Sequence, residues 1–202
     1  MEDKMKYIIP IIILSLVLLS CSKDEDEETQ TAAEKAAAAQ LVALEGTWKT
    51  ACYTESDNTS WIDTLTIAGN SITGNFEKHS DTSCATDYST EGFNWTFSIG
   101  DAVTFSNGTG HKWTVTIGST YKLTPQSDSA VSAFNSGSGE CSKTDWVKDT
   151  EKECSTGDDQ GDTFLCLYLL DGNNWYLKCD DSAYPSTSDI ETDNAANTFT
   201  KQ

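Results

Sequence analysis

Thr163-Phe164-Leu165-Cys166-Leu167-Tyr168-Leu169-Leu170-Asp171-Gly172-Asn173-Asn174-Trp175-Tyr176-Leu177-Lys178-Cys179 reads as two strands and the turn between them. Both arms are rich in aliphatic and aromatic residues. Gly172-Asn173 at the centre is a favourable two-residue loop for a type II′ hairpin. With that loop, Asp171 faces Asn174, Leu170 faces Trp175 and, counting on, Cys166 faces Cys179. Alternating outward from the closing pair puts the cysteines at a non-hydrogen-bonded position, where side chains approach most closely. The spacing therefore predicts a Cys166–Cys179 disulfide across the ladder. Were Asp171-Gly172 the loop, the shifted register would carry the two cysteines past one another.

The same period of two runs through the chain from Gly46 onward. Phe93, Trp95, Phe97 and Ile99 alternate with Asn94, Thr96 and Ser98, the pattern of a half-buried strand. Trp113, Val115 and Ile117 alternate with Thr114 and Thr116. Leu65 and Ile67 precede a turn-like Gly69-Asn70, and Ile72, Gly74 and Phe76 follow it. Val103 and Phe105 mark another short strand, ended by Asn107-Gly108. Weaker strand patterns cover 121–125, 130–134 and 144–147, and 151–162 reads as a polar loop. Phe199 falls in a last short strand. About eight to ten short strands with no helical period between them argue an all-β meander of antiparallel strands. Trp95, Phe97, Trp113, Val115, Trp175 and Leu177 are the side chains this alternation points inward.

The chain has 202 residues, with 13 basic and 32 acidic side chains and a net charge of −19. Every basic residue is Lys, which removes the bidentate fork that recognises phosphate or carboxylate. Nucleic acid is excluded as a partner, because phosphate neutralisation needs a basic surface. An acidic surface of this strength favours solubility and basic partners.

The N-terminus carries an address. Lys4 and Lys6 precede a short apolar run interrupted by Pro10, then Ser20 and Cys21. This is the layout of a secretory signal, too short to span a bilayer. Leu18-Leu19-Ser20-Cys21 resembles the lipobox of bacterial lipoproteins, and that resemblance implies a signal peptide over 1–20 and lipid, such as palmitate, on Cys21. Residues 22–30 hold no apolar side chain and form, with Cys21, an acidic tether over 21–30. They resemble the Lys-then-acidic signals of surface-directed lipoproteins, and Ser22 stands where Asp often marks inner-membrane retention in enteric bacteria. The expected location is the bacterial outer membrane, lipid-anchored and facing the periplasm or the cell surface. Thr31 and Glu34 make a capping box, so 31–45 reads as a helical spacer whose last apolar turn docks on the domain, with Gly46 as its stop.

With Cys21 lipidated, six cysteines remain in an exported chain, which reads as a disulfide framework rather than a metal site. No C-x-x-C pair is present. Besides Cys166–Cys179, proximity in the chain favours Cys52–Cys84 and Cys141–Cys154, although four cysteines allow three connectivities.

Gly46-Thr47-Trp48 at the head of the strand region is a G-x-W, and 169–177 and 197–201 look like a late hairpin and a closing strand. Together they resemble the lipocalins, and with Cys52 and His79-Ser80-Asp81-Thr82-Ser83-Cys84 a group of lipocalin-like bacterial lipoproteins. The resemblance implies that 46–202 is an up-and-down barrel of about eight strands whose last strand pairs with the first. In that family a basic side chain, usually Arg, covers the G-x-W tryptophan; here Lys201 would lie over Trp48. Such a barrel is either filled by side chains or holds one small ligand. Trp95, Phe97, Trp113, Val115, Trp175 and Leu177 would line that site.

No catalytic constellation is visible. His79 and His111 have no nucleophile pattern near them and read as surface residues. Asp158-Asp159-Gln160-Gly161-Asp162 lacks the spacing and bidentate Glu of a calcium loop. The expected function is therefore that of a membrane-anchored, lipocalin-like protein that binds a small apolar ligand, with no enzyme activity, metal or cofactor. The alternative is a filled barrel acting through its acidic surface, as an inhibitor or adhesin does.

Overall fold

The computed structural model describes residues 32–191 and 198–202. The leader, Cys21, the tether and Thr31 of the capping box lie outside the described residues. In chain order the elements are α1 (Ala32–Leu44), β1 (Gly46–Thr50), β2 (Tyr53–Thr54), β3 (Ser60–Ala68), β4 (Ser71–His79), β5 (Asp87–Phe105), β6 (Gly108–Thr116) and β7 (Thr120–Pro125). Then come α2 (Asp128–Phe134), β8 (Lys152–Ser155), β9 (Thr163–Asp171), β10 (Asn174–Asp180), α3 (Thr187–Glu191) and β11 (Thr198–Lys201).

Eight of these strands pair antiparallel in the ring β1-β3-β4-β5-β6-β9-β10-β11, and β11 returns to β1. The all-β, up-and-down barrel is thus closed and leaves no edge within the ring. Closure pairs Trp48 with Lys201 and Thr50 with Phe199. The β9–β10 hairpin holds the expected register: Asp171 faces Asn174 and Cys166 faces Cys179. Gly172 alone of the two loop residues has positive φ, at 59°, as a type II′ turn requires. Cys166 and Cys179 are disulfide-bonded with Cα atoms 4.0 Å apart, close to the spacing of a non-hydrogen-bonded pair. Cys52–Cys84 and Cys141–Cys154 are also bonded.

Several local expectations are corrected. Residues 93–99 and 103–105 are not separate strands but one 19-residue β5, offset by a register shift between Ile99 and Ala102. Such a bulge bends a strand without ending it. Phe105 pairs with Gly108, so the turn is Ser106-Asn107 rather than Asn107-Gly108. Residues 130–134 are helical: Ser127 caps α2 by accepting from the Ala130 N–H at 3.1 Å. Residues 144–147 form no strand, because the Trp146 backbone is clamped both ways by the Asn135 side chain, at 2.7 and 3.0 Å. Part of the polar loop 151–162 is instead β8, which extends the sheet past the ring along β7. His79 and His111 are buried rather than on the surface.

Helix α1 ends against the barrel. Leu44 is fully buried in the main core and Leu41 packs beside it, whereas Val42 is exposed. The Trp48 indole N–H donates to the Leu44 carbonyl at 2.7 Å, which satisfies one of the carbonyls orphaned at the helix end. Gly46, with φ of 120°, turns the chain from helix to strand where an L side chain would be strained. Lys201 Nζ lies 5.1 Å from the Trp48 ring centroid and donates to the Ala43 carbonyl at 3.4 Å. This ammonium meets both a ring face and a helix C-terminus, two favourable places for a cation. Lys201→Ala should lower unfolding free energy by about 0.5–1 kcal/mol in urea titrations, and Lys201→Arg should retain most of it. An unchanged midpoint in Lys201→Ala would remove the contact from the closure.

Candidate functional site

The barrel interior is divided. Part of it is solid. Trp175 meets Trp48 and Trp113 edge-on at centroid distances of 5.6 and 5.2 Å, and Phe97 meets Trp113 edge-on at 4.8 Å. Edge-to-face aromatic packing fills space densely and adds to area burial. Tyr168 joins this cluster, completely buried, and stacks on His111.

Beyond Trp113 the interior holds a cavity of about 210 Å³. Its lining comes from the inner faces of seven of the eight ring strands, which places it inside the barrel. The alternation of β5 sends Phe93 and Trp95 inward, stacked at 3.9 Å, and Phe76 of β4 meets Phe93 edge-on at 5.0 Å. Gly74, directly opposite Phe93, makes this wall possible, because a Cβ there would collide with the Phe93 ring. Phe164 and the Cys166–Cys179 bridge close another side. Of the residues expected to face inward, Trp95, Trp113, Val115 and Leu177 line the cavity. Phe97 and Trp175 are buried in the solid part and do not reach it.

Among the described residues, Asp63 is the only charged one lining the cavity. It shares the inner face of β3 with Leu65 and Ile67 and is 9 % exposed. One carboxylate oxygen, Oδ2, accepts from the Tyr53 hydroxyl at 2.8 Å. The Asp63 backbone N–H donates to Thr50 Oγ1 at 2.9 Å. The other oxygen, Oδ1, is buried without a hydrogen-bond partner. Burial pushes the Asp63 carboxyl up from 3.8 to about 6; the Tyr53 hydrogen bond opposes this and the charge of Glu55 adds to it. The Tyr53 phenol is itself pushed up, by burial first and then by the charge on Asp63. An unpaired buried carboxylate oxygen is costly to the fold, and such groups concentrate where a ligand completes them. The Trp95 and Trp113 indole N–H groups at the cavity are likewise buried without an acceptor.

A second, more open groove of about 410 Å³ lies between Tyr53, Glu55, Asp57, Trp61 and Lys78, where Trp61 and Lys78 continue the inner faces of β3 and β4. It meets the cavity at Asp63 and Phe76, which line both. Asp63 therefore stands at the junction of groove and interior. Sequence reasoning missed it. Its signal was a single acidic residue in phase with Leu65 and Ile67 on an otherwise apolar face.

The other ionisable candidates have structural surroundings. His79 Nδ1 sits 3.2 Å from Asp87 Oδ1 at the rim of β4, and His111 Nδ1 lies 3.4 Å from the Gly100 carbonyl. Among the described residues no group of three or more His, Cys, Asp or Glu side chains could hold a metal ion. No helix among them is long and apolar enough to cross a membrane.

Because the folded protein holds the Asp63 proton more tightly than the unfolded chain, the group contributes stability at low pH that is lost as pH rises through about 4 to 6. Asp63→Asn keeps an acceptor for Tyr53 and removes the charge. It should be more stable than wild type by up to about 3 kcal/mol at neutral pH, with the advantage vanishing below about pH 4 in urea titrations. A variant less stable than wild type at neutral pH would mark the carboxylate as a structural anchor instead. Compared with known proteins, the chain matches no family model and no curated protein.

Proposed function

We propose that this protein is a lipocalin-like binding protein for one small apolar ligand, anchored to the bacterial outer membrane through lipid on Cys21. The observation that carries the binding reading is the apolar cavity ringed by barrel strands, with unpaired polar atoms at its wall. Apolar lining with a few polar groups is the composition of a small-molecule site. At about 210 Å³ the cavity is smaller than the roughly 300–1,000 Å³ that drug-sized ligands occupy, so its occupant is a single ring or a short chain. The anchor reading rests on the lipobox and the acidic tether. A lipid on Cys21 would leave the barrel reachable by small molecules near the membrane surface.

The Trp48–Trp175–Trp113 cluster, which already fills much of the interior, favours the rival reading, a filled barrel acting through its acidic surface. Binding of a one-ring apolar probe separates the two. Propylbenzene should bind at one site per chain, raise the thermal midpoint and perturb tryptophan fluorescence. Val115→Phe, which projects a ring into the cavity, should weaken it by about tenfold or more. No saturable binding of one-ring apolar compounds would sink the ligand reading and leave the acidic surface.

A further inference from the structure

The cavity is not uniformly apolar, and among the described residues no cation lines it to balance its single charge. Asp63 Oδ1 is buried and unpaired while Oδ2 is held by Tyr53. Lys78, which lines the adjoining groove, contacts other groups. Its Nζ lies 4.0 Å from Asp57 Oδ2 and over the Trp61 and Tyr88 rings, at 5.1 and 5.7 Å from their centroids. Glu55, the other charged group felt by Asp63, adds negative potential at the same end. Phe76, the cross-strand neighbour of Asp63, and the Phe93 and Trp95 rings line the same cavity, and their π faces also attract cations.

From this arrangement we infer that the ligand is a small primary amine with an aromatic or compact apolar body, its ammonium bonded to Asp63 Oδ1 and its body against Phe93 and Trp95. The inference rests on the ligand-binding reading above and names the ligand class within it. A protonated amine brings three donors to an acceptor that has none, and its charge is compensated on desolvation. A neutral molecule of the same shape leaves Oδ1 unpaired, and an anion meets Asp63 and Glu55 with nothing to balance it. The cavity volume holds one ring with a short arm. The adjoining groove offers an acidic approach through Glu55 and Asp57 to the same carboxylate.

Three probes of one shape, phenethylamine, propylbenzene and phenylacetate, test this by calorimetry on the full chain at neutral pH. Phenethylamine should bind about tenfold or more tighter than propylbenzene, and phenylacetate weakest of the three. In Asp63→Asn the ratio of phenethylamine to propylbenzene affinity should fall to about one, with the variant's cooperative thermal unfolding showing that it is folded. Equal affinity for amine and hydrocarbon in the wild type, or an unchanged preference in Asp63→Asn, would overturn the inference and leave the apolar-ligand reading standing. Binding of none of the three would overturn both. The wild-type affinities decide the matter even where Asp63→Asn yields no folded protein.

Discussion

The pairing of β1 with β11, Trp48 opposite Lys201, is the constraint on which the rest depends. It turns a strand meander into a ring, and only a ring has an interior that water reaches from its ends alone. Trp48 fastens this seam from within. Its indole N–H holds the end of α1, its ring meets Trp175, and the Lys201 ammonium covers it. The helix, the first strand and the last strand therefore converge on one side chain. That convergence explains why Leu44 of α1 is as deeply buried as any barrel residue.

The seam also sets how the interior is used. Three indoles and Phe97 interlock on the Trp48 side, and large aromatic rings in edge-on contact leave little space. Past Trp113 lies the cavity, bordered by the Phe93, Trp95 and Phe164 rings. Gly74 sharpens the division, because its missing side chain lets Phe93 lie across β4 and form a flat aromatic wall with Trp95. Asp63 of β3, paired with Phe76, lines the same cavity. Burying it lowers stability above its raised pKa, a local loss that a ligand's ammonium would offset.

What could be read from the chain followed from patterns that act locally. The Gly172-Asn173 loop set the hairpin register and with it the Cys166–Cys179 bridge, because a two-residue turn leaves little freedom in pairing. The inward set was legible because alternation has a strict period, so Trp95, Phe97, Trp113, Val115, Trp175 and Leu177 all face the core cluster. Which of them border empty space was not legible. Phe97 and Trp175 differ from Trp95 and Trp113 only in what lies across the barrel, a matter of tertiary packing. The 126–151 segment misled for a related reason. Trp146 carries the composition of a strand but is held by Asn135 and covers β7 and β8 as irregular chain. β8 escaped notice because its one apolar anchor is Cys154, with charged or polar neighbours on both sides. Asp63 was passed over because acidic residues are so abundant here that only its phase within β3 distinguished it.

Asp63 is a carboxylate that the fold buries and leaves half-satisfied at the wall of the cavity, and the ligand reading depends on that state. Carbon-13 NMR titration of the Asp63 side-chain carboxyl in the ligand-free protein measures this directly. The predicted midpoint lies near 6, well above the ordinary value of 3.8. A midpoint at or below that ordinary value would mean that solvent or a protein donor already satisfies Oδ1, and would contradict the account.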